Sequence, residues 1–176
     1  MNITFFVTAL VFGLTHALEV DHMAAVSAFV ATKPKTKASF HFGLHWGLGH
    51  GLSLLIFTSV LYFLRTSLTE SVASQFEKLV GFMLIVVGCW SLFRLKQQKH
   101  ASVLHSHRFP KFFMPFGMGI LHGIAGTAAY VGGTVMAFSG SYFHVLIYTV
   151  LFSFGVCISM TGYGAGIGKL ISWNEV

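Results

Sequence analysis

The stretch FGLTHALEVDHMAAVSAF, residues 12–29, holds four side chains that can bind metal ions or protons within seven positions. They are His16, Glu19, Asp21 and His22. Imidazole nitrogens and carboxylate oxygens, without thiolates, favour borderline first-row divalent ions over soft Cu(I). The flanking residues are apolar, as in a membrane helix. Ionisable side chains are costly in hydrocarbon and by default mark an ion pathway or binding site.

The composition is that of an integral membrane protein. Of 176 residues, 55% are hydrophobic and 9% are charged, whereas soluble domains carry about 25% charged residues. The net charge of +6 is no nucleic-acid signal, because Lys and Arg lie in short segments between apolar runs. Cys89 and Cys157 lie inside apolar runs without a CxxC pattern, so we expect neither a disulfide framework nor a thiolate metal site. The start, MNITFFVTALVFG, reads as a retained span and lacks the basic region of a signal peptide.

Five apolar runs approach the length of about 20 residues that a membrane span needs. They do not alternate with period two, which argues against a β-barrel. The sequence therefore predicts an all-α integral membrane protein, a polytopic bundle of about five transmembrane helices in a single domain over residues 1–176. The spans are predicted near residues 4–31, 40–64, 77–95, 112–138 and 142–171.

Glycines recur at helix-packing spacing in the second, fourth and fifth runs. They are Gly43, Gly47, Gly51, Gly119, Gly123, Gly162, Gly164, Gly166 and Gly168. Small residues at this spacing let helix backbones approach closely. The alternative is that segments such as GTAAYVGG and MTGYGAGIG loosen a helix, so that backbone carbonyls face a pathway.

Several ionisable residues are predicted at one depth in the membrane. At 1.5 Å rise per residue, His16, His50 and His122 fall within roughly 5 Å of the midplane. Asp21 and His22 lie about one turn nearer the cytoplasm, and His50 and His122 are displaced the same way. A single intramembrane histidine is often a packed residue bonded to a carbonyl. Ionisable groups from three spans at one depth instead indicate a site.

The first run cannot direct all its polar groups at one ion as a regular helix. At about 100° per residue, His16, Glu19 and His22 share one arc and Asp21 points to another side. Either the helix is broken here, or Asp21 orients an imidazole from another helix. We favour a local distortion of the helix.

Other histidines leave two interpretations open. His41 and His45 are four residues apart and lie on one helix face, which suits a shared metal ion or a stack of interfacial residues. Ligation is favoured more for His45 than for His41. His100, His105 and His107 lie in a basic loop, which is either a low-affinity metal collector or a determinant of topology.

Four segments resemble those of a known family. HALEVDH matches the H-x4-D-H signature of the nickel/cobalt transporter superfamily. GLTHALEVDHMAAVSAF, HWGLGHGLSL and GILHGIAGTAAY together resemble the UreH-type, urease-accessory branch of the NicO/NiCoT permeases, and FSFGVCISMTGYGAGIG resembles its glycine-rich later helix. The resemblance covers most of the chain in order.

The resemblance implies a bundle of about six membrane helices that moves Ni²⁺ or Co²⁺ and is not an enzyme. The motifs assign His16, Asp21 and His22 from the signature, His50 from GLGH and His122 from HGIAG. With the residue chemistry above, the candidate metal ligands are His16, Glu19, Asp21, His22, His45, His50 and His122. We expect no tightly bound cofactor. The expected partners are the divalent ion as substrate and the lipid bilayer, with a homo-oligomer or a link to nickel-enzyme maturation left open.

The sequence departs from the family pattern in two places. Glu19-Val20 stands where the family has Asp-Ala, which keeps a carboxylate but changes its reach. The chain ends in GKLISWNEV, where such proteins usually continue into another helix, so the sequence represents either a shortened member or part of a longer one. Metal identity does not follow from the motif.

Three other functions are alternatives to transport. A membrane metalloenzyme would need a general base, which Glu19 or Asp21 can supply, but the sequence has no H-E-x-x-H and no nucleophile arrangement. A b-type haem protein would use paired intramembrane histidines, and the adjacent carboxylates argue against it. The third is a urease-accessory or structural membrane protein without transport. Radiometal uptake separates transport from these alternatives.

The basic residues predict the orientation in the membrane. Nine of the eleven Lys and Arg lie in the segments on one side, namely Lys33, Lys35, Lys37, Arg94, Lys96, Lys99, Arg108, Lys111 and Lys169. The other side holds Arg65 and Lys78. Since cytoplasmic loops are rich in Lys and Arg, we expect a multi-pass protein of the cell (inner) membrane with its N-terminus outside and its C-terminus cytoplasmic.

Cysteine-accessibility labelling checks this orientation. Cysteines introduced at Lys35 and at Lys99 are expected to react with reagents that reach the cytoplasmic face and to stay unlabelled by impermeant reagents added outside intact cells. Labelling of either position from outside would show that the orientation is reversed.

Overall fold

The computed structural model describes residues 3–32, 35–65, 69–100, 113–125 and 141–173. Six helices account for nearly all of these residues: α1 Ile3–His16, α2 Val20–Thr32, α3 Thr36–Leu64, α4 Glu70–His100, α5 Phe113–Ala125 and α6 Tyr142–Trp173. No strand occurs in the described segments. Three helices, α3, α4 and α6, are long and apolar enough to cross a membrane, and α1 with α2 can form a fourth, bent span. The prediction of an all-α, polytopic membrane protein is confirmed.

The observed helices resemble the predicted spans and differ from them at their ends. Helices α3 and α6 nearly coincide with the runs predicted at 40–64 and 142–171, whereas α4 extends beyond 77–95 at both ends. Polar residues extend α4 beyond its apolar run, so the hydrophobic pattern alone does not predict where this helix begins and ends. Helix α5 covers the first half of the run predicted at 112–138. The rest, including GTAAYVGG, lies outside the described residues.

The first predicted span is broken at residues 17–19, where α1 and α2 meet at 53°. The backbone N–H of Glu19 donates to the carbonyl of His16 at 3.0 Å, a shortened turn that ends α1. The N–H of Met23 then donates to the carbonyl of Glu19 at 3.1 Å and begins the bonding pattern of α2. The break favoured from the helical geometry is therefore present. Non-helical backbone at membrane depth is tolerated where it is enclosed by protein or lines a cavity.

Helix α3 lies at the centre of the bundle and packs against both α5 and α6, while α1 packs on α6 and α2 on α4. Three glycines on α3 allow the close approach to α6: Gly43 lies against Met160, Gly47 against Cys157 and Gly51 against Ser153. Helix α6 runs unbroken through MTGYGAGIG. In the described helices the glycines of α3 thus serve packing, and the alternative of a loosened α6 does not hold.

The bundle is apolar on its outside as well as in its core. Large buried side chains include Phe42, Trp46 and Leu54 of α3 and Met160 of α6. Exposed apolar side chains cover the outward faces of the helices, among them Ile56, Phe63, Phe82, Ile85 and Phe154. Contiguous apolar surface of this kind suits lipid and not water. The apolar surface and the lengths of the helices therefore both indicate a membrane protein.

The close contact of α3 with α6 yields a stability prediction. A Cβ atom at Gly43 would lie 2.9 Å from the Cα of Thr161, so Gly43→Ala forces the two backbones apart. We expect a loss of about 1–3 kcal/mol in the free energy of unfolding, as for other overpacked positions. Denaturation of the detergent-solubilised protein, followed by circular dichroism, measures it.

Gly162→Ala is the matched control, because a Cβ atom there meets no other atom within 4 Å. This variant is expected to keep the parent's stability or to gain slightly, since alanine is the better helix former. Equal stability of the two variants would show that the α3–α6 contact is not as close as described.

Candidate metal site

The break between α1 and α2 places the signature residues at two helix ends. His16 ends α1, and Asp21 and His22 lie in the first turn of α2. The first turn of a helix has unpaired backbone N–H groups and the positive end of the helix dipole, both of which stabilise a carboxylate. One carboxylate oxygen of Asp21, Oδ1, accepts a hydrogen bond from the backbone N–H of His22 at 2.9 Å. The sequence thus positions an anionic side chain where the local backbone supports it.

The Asp21 carboxylate joins two imidazoles from different helices. Its Oδ1 lies 3.0 Å from Nδ1 of His22, and its Oδ2 lies 2.8 Å from Nε2 of His122 on α5. Both imidazoles are fully buried, and the Asp21 side chain is 30% exposed. An ionised carboxylate only accepts hydrogen bonds, so each imidazole donates its N–H to Asp21. The ring tautomers follow from this: His22 keeps its lone pair on Nε2 and His122 on Nδ1.

Three histidines from α1, α2 and α3 form a compact donor group. The donor atoms of His16, His22 and His50 lie within 4.8 Å of one another, and their ring centroids are 4.7, 5.4 and 5.6 Å apart. We call these residues the trihistidine group. Donors bound to one ion at about 2.1 Å lie roughly 3.5 Å apart. Small side-chain rotations therefore suffice for the three rings to bind one ion.

Four of the six ring nitrogens in the trihistidine group lack hydrogen bonds. Nε2 of His16, Nε2 of His22 and both ring nitrogens of His50 are buried and have no hydrogen-bond partner among the described residues. Burying a polar atom without a partner costs free energy. A histidine at the core of the bundle with both nitrogens unpaired is poorly suited to a purely structural role. A bound ion would satisfy the lone pairs that the protein leaves unused.

Glu19 contacts the trihistidine group from the side of a cavity. Its Oε1 lies 2.9 Å from Nδ1 of His16, and its side chain is 57% exposed. A cavity of about 150 Å³ is lined by Phe12, Thr15, His16, Glu19 and Phe152. Glu19 therefore holds the His16 ring as Asp21 holds the His22 ring, a carboxylate–histidine pairing common around bound metal ions. The cavity gives a cation access to His16 beside a negative charge.

A second donor group contains Asp21, His22 and His122, whose donor atoms also lie within 4.8 Å of one another. We call it the carboxylate group. It combines one carboxylate with two imidazoles and shares His22 with the trihistidine group. The structure thus brings together His16, Asp21, His22, His50 and His122, all of which the sequence proposed as candidate ligands.

The remaining histidines have different positions. His45 lies on α3 with its ring stacked on that of His41 at 6.1 Å, and it belongs to neither donor group. Ligation by His45 stays a prediction. The side chains of His100, His105 and His107 lie outside the described residues. The interpretation of their loop therefore also stays a prediction.

One residue of the site was missed from the sequence. The ring of Trp46 is fully buried and lies 5.5 Å from the ring of His122. Trp46 and His50 are four residues apart and therefore lie on one face of α3. This spacing could have identified Trp46 as a neighbour of the site from the sequence. Trp46 packs beside the carboxylate group and shields it on the α3 side.

Two curated proteins are similar to this chain over most of its length. A urease accessory protein UreH from Bacillus sp. (strain TB-90) is 32% identical over 90% of this chain and 73% of its own length. The chain belongs to the UreH-type branch of the nickel/cobalt transporter superfamily. A protein of Methanocaldococcus jannaschii with the provisional name nickel/cobalt efflux system is 27% identical over 92% of this chain and 75% of its own length. No protein-family model and no solved structure matches the chain.

Membership of the UreH-type branch agrees with the geometry of the site. The signature residues His16, Asp21 and His22 come from one sequence motif, yet they lie on two helices and contact both other histidines of the site. In this UreH-type protein the motif contains both the break in the first span and three of the candidate ligands.

The unpaired nitrogens of His50 yield a stability prediction. His50→Leu removes two buried, unpaired polar atoms at similar volume, so the metal-free protein is expected to keep its stability or to gain about 1–3 kcal/mol. His122→Leu is the matched comparison and is expected to lose a similar amount, because it deprives Asp21 of a hydrogen-bond donor. Chemical denaturation of chelator-treated protein in detergent measures both. A loss at His50 as large as that at His122 would show that His50 has a structural role.

Proposed function

We propose that this UreH-type chain is a membrane permease for divalent transition-metal ions, with Ni²⁺ or Co²⁺ as substrate. The observation that supports this best is the trihistidine group, in which buried donor nitrogens from three helices converge without partners in the described part of the chain. The donors suit first-row divalent ions, because imidazole binds Ni²⁺ and its neighbours well and the group contains no thiolate.

The charges near the site fit a transported cation. Three neutral imidazoles can replace part of an ion's hydration shell without adding charge, and the carboxylates of Glu19 and Asp21 offset part of the positive charge of a dication. Conduction requires binding that is strong enough for entry and weak enough for release. Donors on α1, α2, α3 and α5 allow a small movement of one helix to alter the coordination. These properties favour transport over permanent storage of the ion.

The names of the relatives support the same substrate class. One relative is named for nickel/cobalt efflux and the other as a urease accessory protein. We infer that the two names are compatible. A membrane permease can have an accessory role in enzyme maturation by delivering the nickel ion. We also propose that the protein lies in the cell membrane with its N-terminus outside, because most of its Lys and Arg lie in the segments on the opposite side.

Substitutions in the signature test the proposal. Asp21→Asn removes the negative charge at nearly constant shape, and His22→Ala removes the imidazole that both donor groups share. Each is expected to abolish cellular uptake or efflux of radioactive Ni²⁺ and Co²⁺, whereas Glu19→Asp is expected to be milder because the carboxylate is kept. Transport by cells that express each variant, corrected for the amount in the membrane, measures this.

His144→Ala is the matched control for His22→Ala. His144 lies on α6 with its ring beside that of Phe5 at 6.2 Å, and it belongs to neither donor group. It is expected to transport like the parent. Parent-level transport by folded, inserted Asp21→Asn and His22→Ala variants would place the ion's path elsewhere.

A further inference from the structure

His22 is common to both donor groups, and its two ring nitrogens differ in their partners. Its Nδ1 lies 3.0 Å from Oδ1 of Asp21, in the carboxylate group. This leaves Nε2, which is buried and has no hydrogen-bond partner among the described residues, as its donor for His16 and His50. The chemistry of the ring thus assigns Nδ1 to the carboxylate group and Nε2 to the trihistidine group.

We propose that the trihistidine group and the carboxylate group are two alternative positions for a single ion, and that His22 makes their occupancy mutually exclusive. This inference rests on the proposed function, because it assumes that these donors bind a divalent cation. It goes further by specifying two positions, the ligands of each and a stoichiometry of one ion per chain.

Exclusion follows from the chemistry of a neutral imidazole, which has one lone pair and one N–H. While Nδ1 donates its hydrogen to Asp21, the lone pair lies on Nε2 and serves the trihistidine group. An ion in the carboxylate group needs the lone pair on Nδ1, so Nε2 must carry the hydrogen and the trihistidine group loses one donor. In this exchange a proton leaves Nδ1 to water and another returns from water to Nε2, so the ring stays neutral.

Simultaneous occupancy is opposed by both protonation and charge. Both ring nitrogens would have to bind metal at once, which requires the ring to lose its last N–H proton. Each ion would lie about 2.1 Å from its nitrogen, so two dications would lie roughly 6 Å apart with one ring between them. Asp21 and the partly exposed Glu19 supply the nearby negative charge. This is too little to neutralise two dications.

The surroundings distinguish the two positions. His16 lines the cavity that also contains Glu19, so the trihistidine group is the position reached from the cavity. The carboxylate group lies toward α5, next to the buried ring of Trp46, and it alone contains a carboxylate ligand. An ion that moves from the first position to the second therefore exchanges neutral ligands for an anionic one, with His22 as a ligand of both.

Equilibrium dialysis of purified, detergent-solubilised protein with Co²⁺ tests the stoichiometry. The parent is expected to bind one ion per chain. His50→Ala leaves the carboxylate group intact and His122→Ala leaves the trihistidine group intact, so each is also expected to bind one ion. The double variant His50→Ala/His122→Ala and the single variant His22→Ala, which damages both groups, are expected to lose binding. His144→Ala is the control and is expected to match the parent.

X-ray absorption spectra of bound Co²⁺ test the ligands. Scattering from three imidazole rings is expected in His122→Ala, and from two rings plus carboxylate oxygen in His50→Ala. Asp21→Asn keeps the shape of the replaced side chain and is expected to give the three-ring spectrum of His122→Ala. It serves as a second variant if His122→Ala is poorly folded, which circular dichroism and gel filtration reveal.

The outcomes separate this inference from the proposed function. Two ions bound to the parent, or complete loss of binding in either His50→Ala or folded Asp21→Asn, would overturn mutually exclusive positions while leaving a metal site. Identical spectra for His50→Ala and His122→Ala would overturn the assignment of ligands. Absence of Co²⁺ binding by the parent would overturn the proposed function itself.

Discussion

The site depends on one carboxylate that holds imidazoles from two helices. Asp21 lies in the first turn of α2 and contacts His22 of that helix and His122 of α5. Because this turn begins at a break in the first span, the backbone N–H of His22 is available to donate to the Asp21 carboxylate. The break therefore has two effects: it supports the anionic side chain at membrane depth, and it turns His22 toward His16 and His50. A continuous helix would provide neither.

The close packing of α3 completes what the break begins. Gly119 of α5 lies against the backbone of Trp46, and Gly123 lies against His50 and Ser53. These contacts bring α5, and with it His122, to the α3 face that carries His50. The small residues of α3 and α5 thus determine how closely the imidazoles approach, although none of them has a side chain that can bind metal. The same helix contacts therefore pack the bundle and position the candidate ligands.

Part of this arrangement is predictable from the sequence. The hydrophobic runs give the helices, and the rise per residue places His16, His50 and His122 at one depth. The angular positions of His16, Glu19 and Asp21 show that a regular helix cannot direct them at one ion. The sequence therefore predicts either a break or an Asp21 that orients an imidazole from another helix, and the structure has both features. The pairing of each carboxylate with a particular imidazole is not predictable, because it depends on the 53° bend and on side-chain rotamers. The different positions of His45 and His50, five residues apart on one helix, likewise follow from contacts with neighbouring helices.

The two carboxylates of the signature have different roles for a physical reason. Asp21 has a short stem at a helix start and is enclosed between two buried rings, so it can act as a ligand or as an acceptor for His22. Glu19 lies within the break, is largely exposed, and reaches His16 through its longer stem. Aspartate at this position, as in the family pattern, has one methylene fewer and would stop short of His16 on the same backbone. Glutamate thus lets this chain orient the cavity-side imidazole with a residue that also presents negative charge to the cavity.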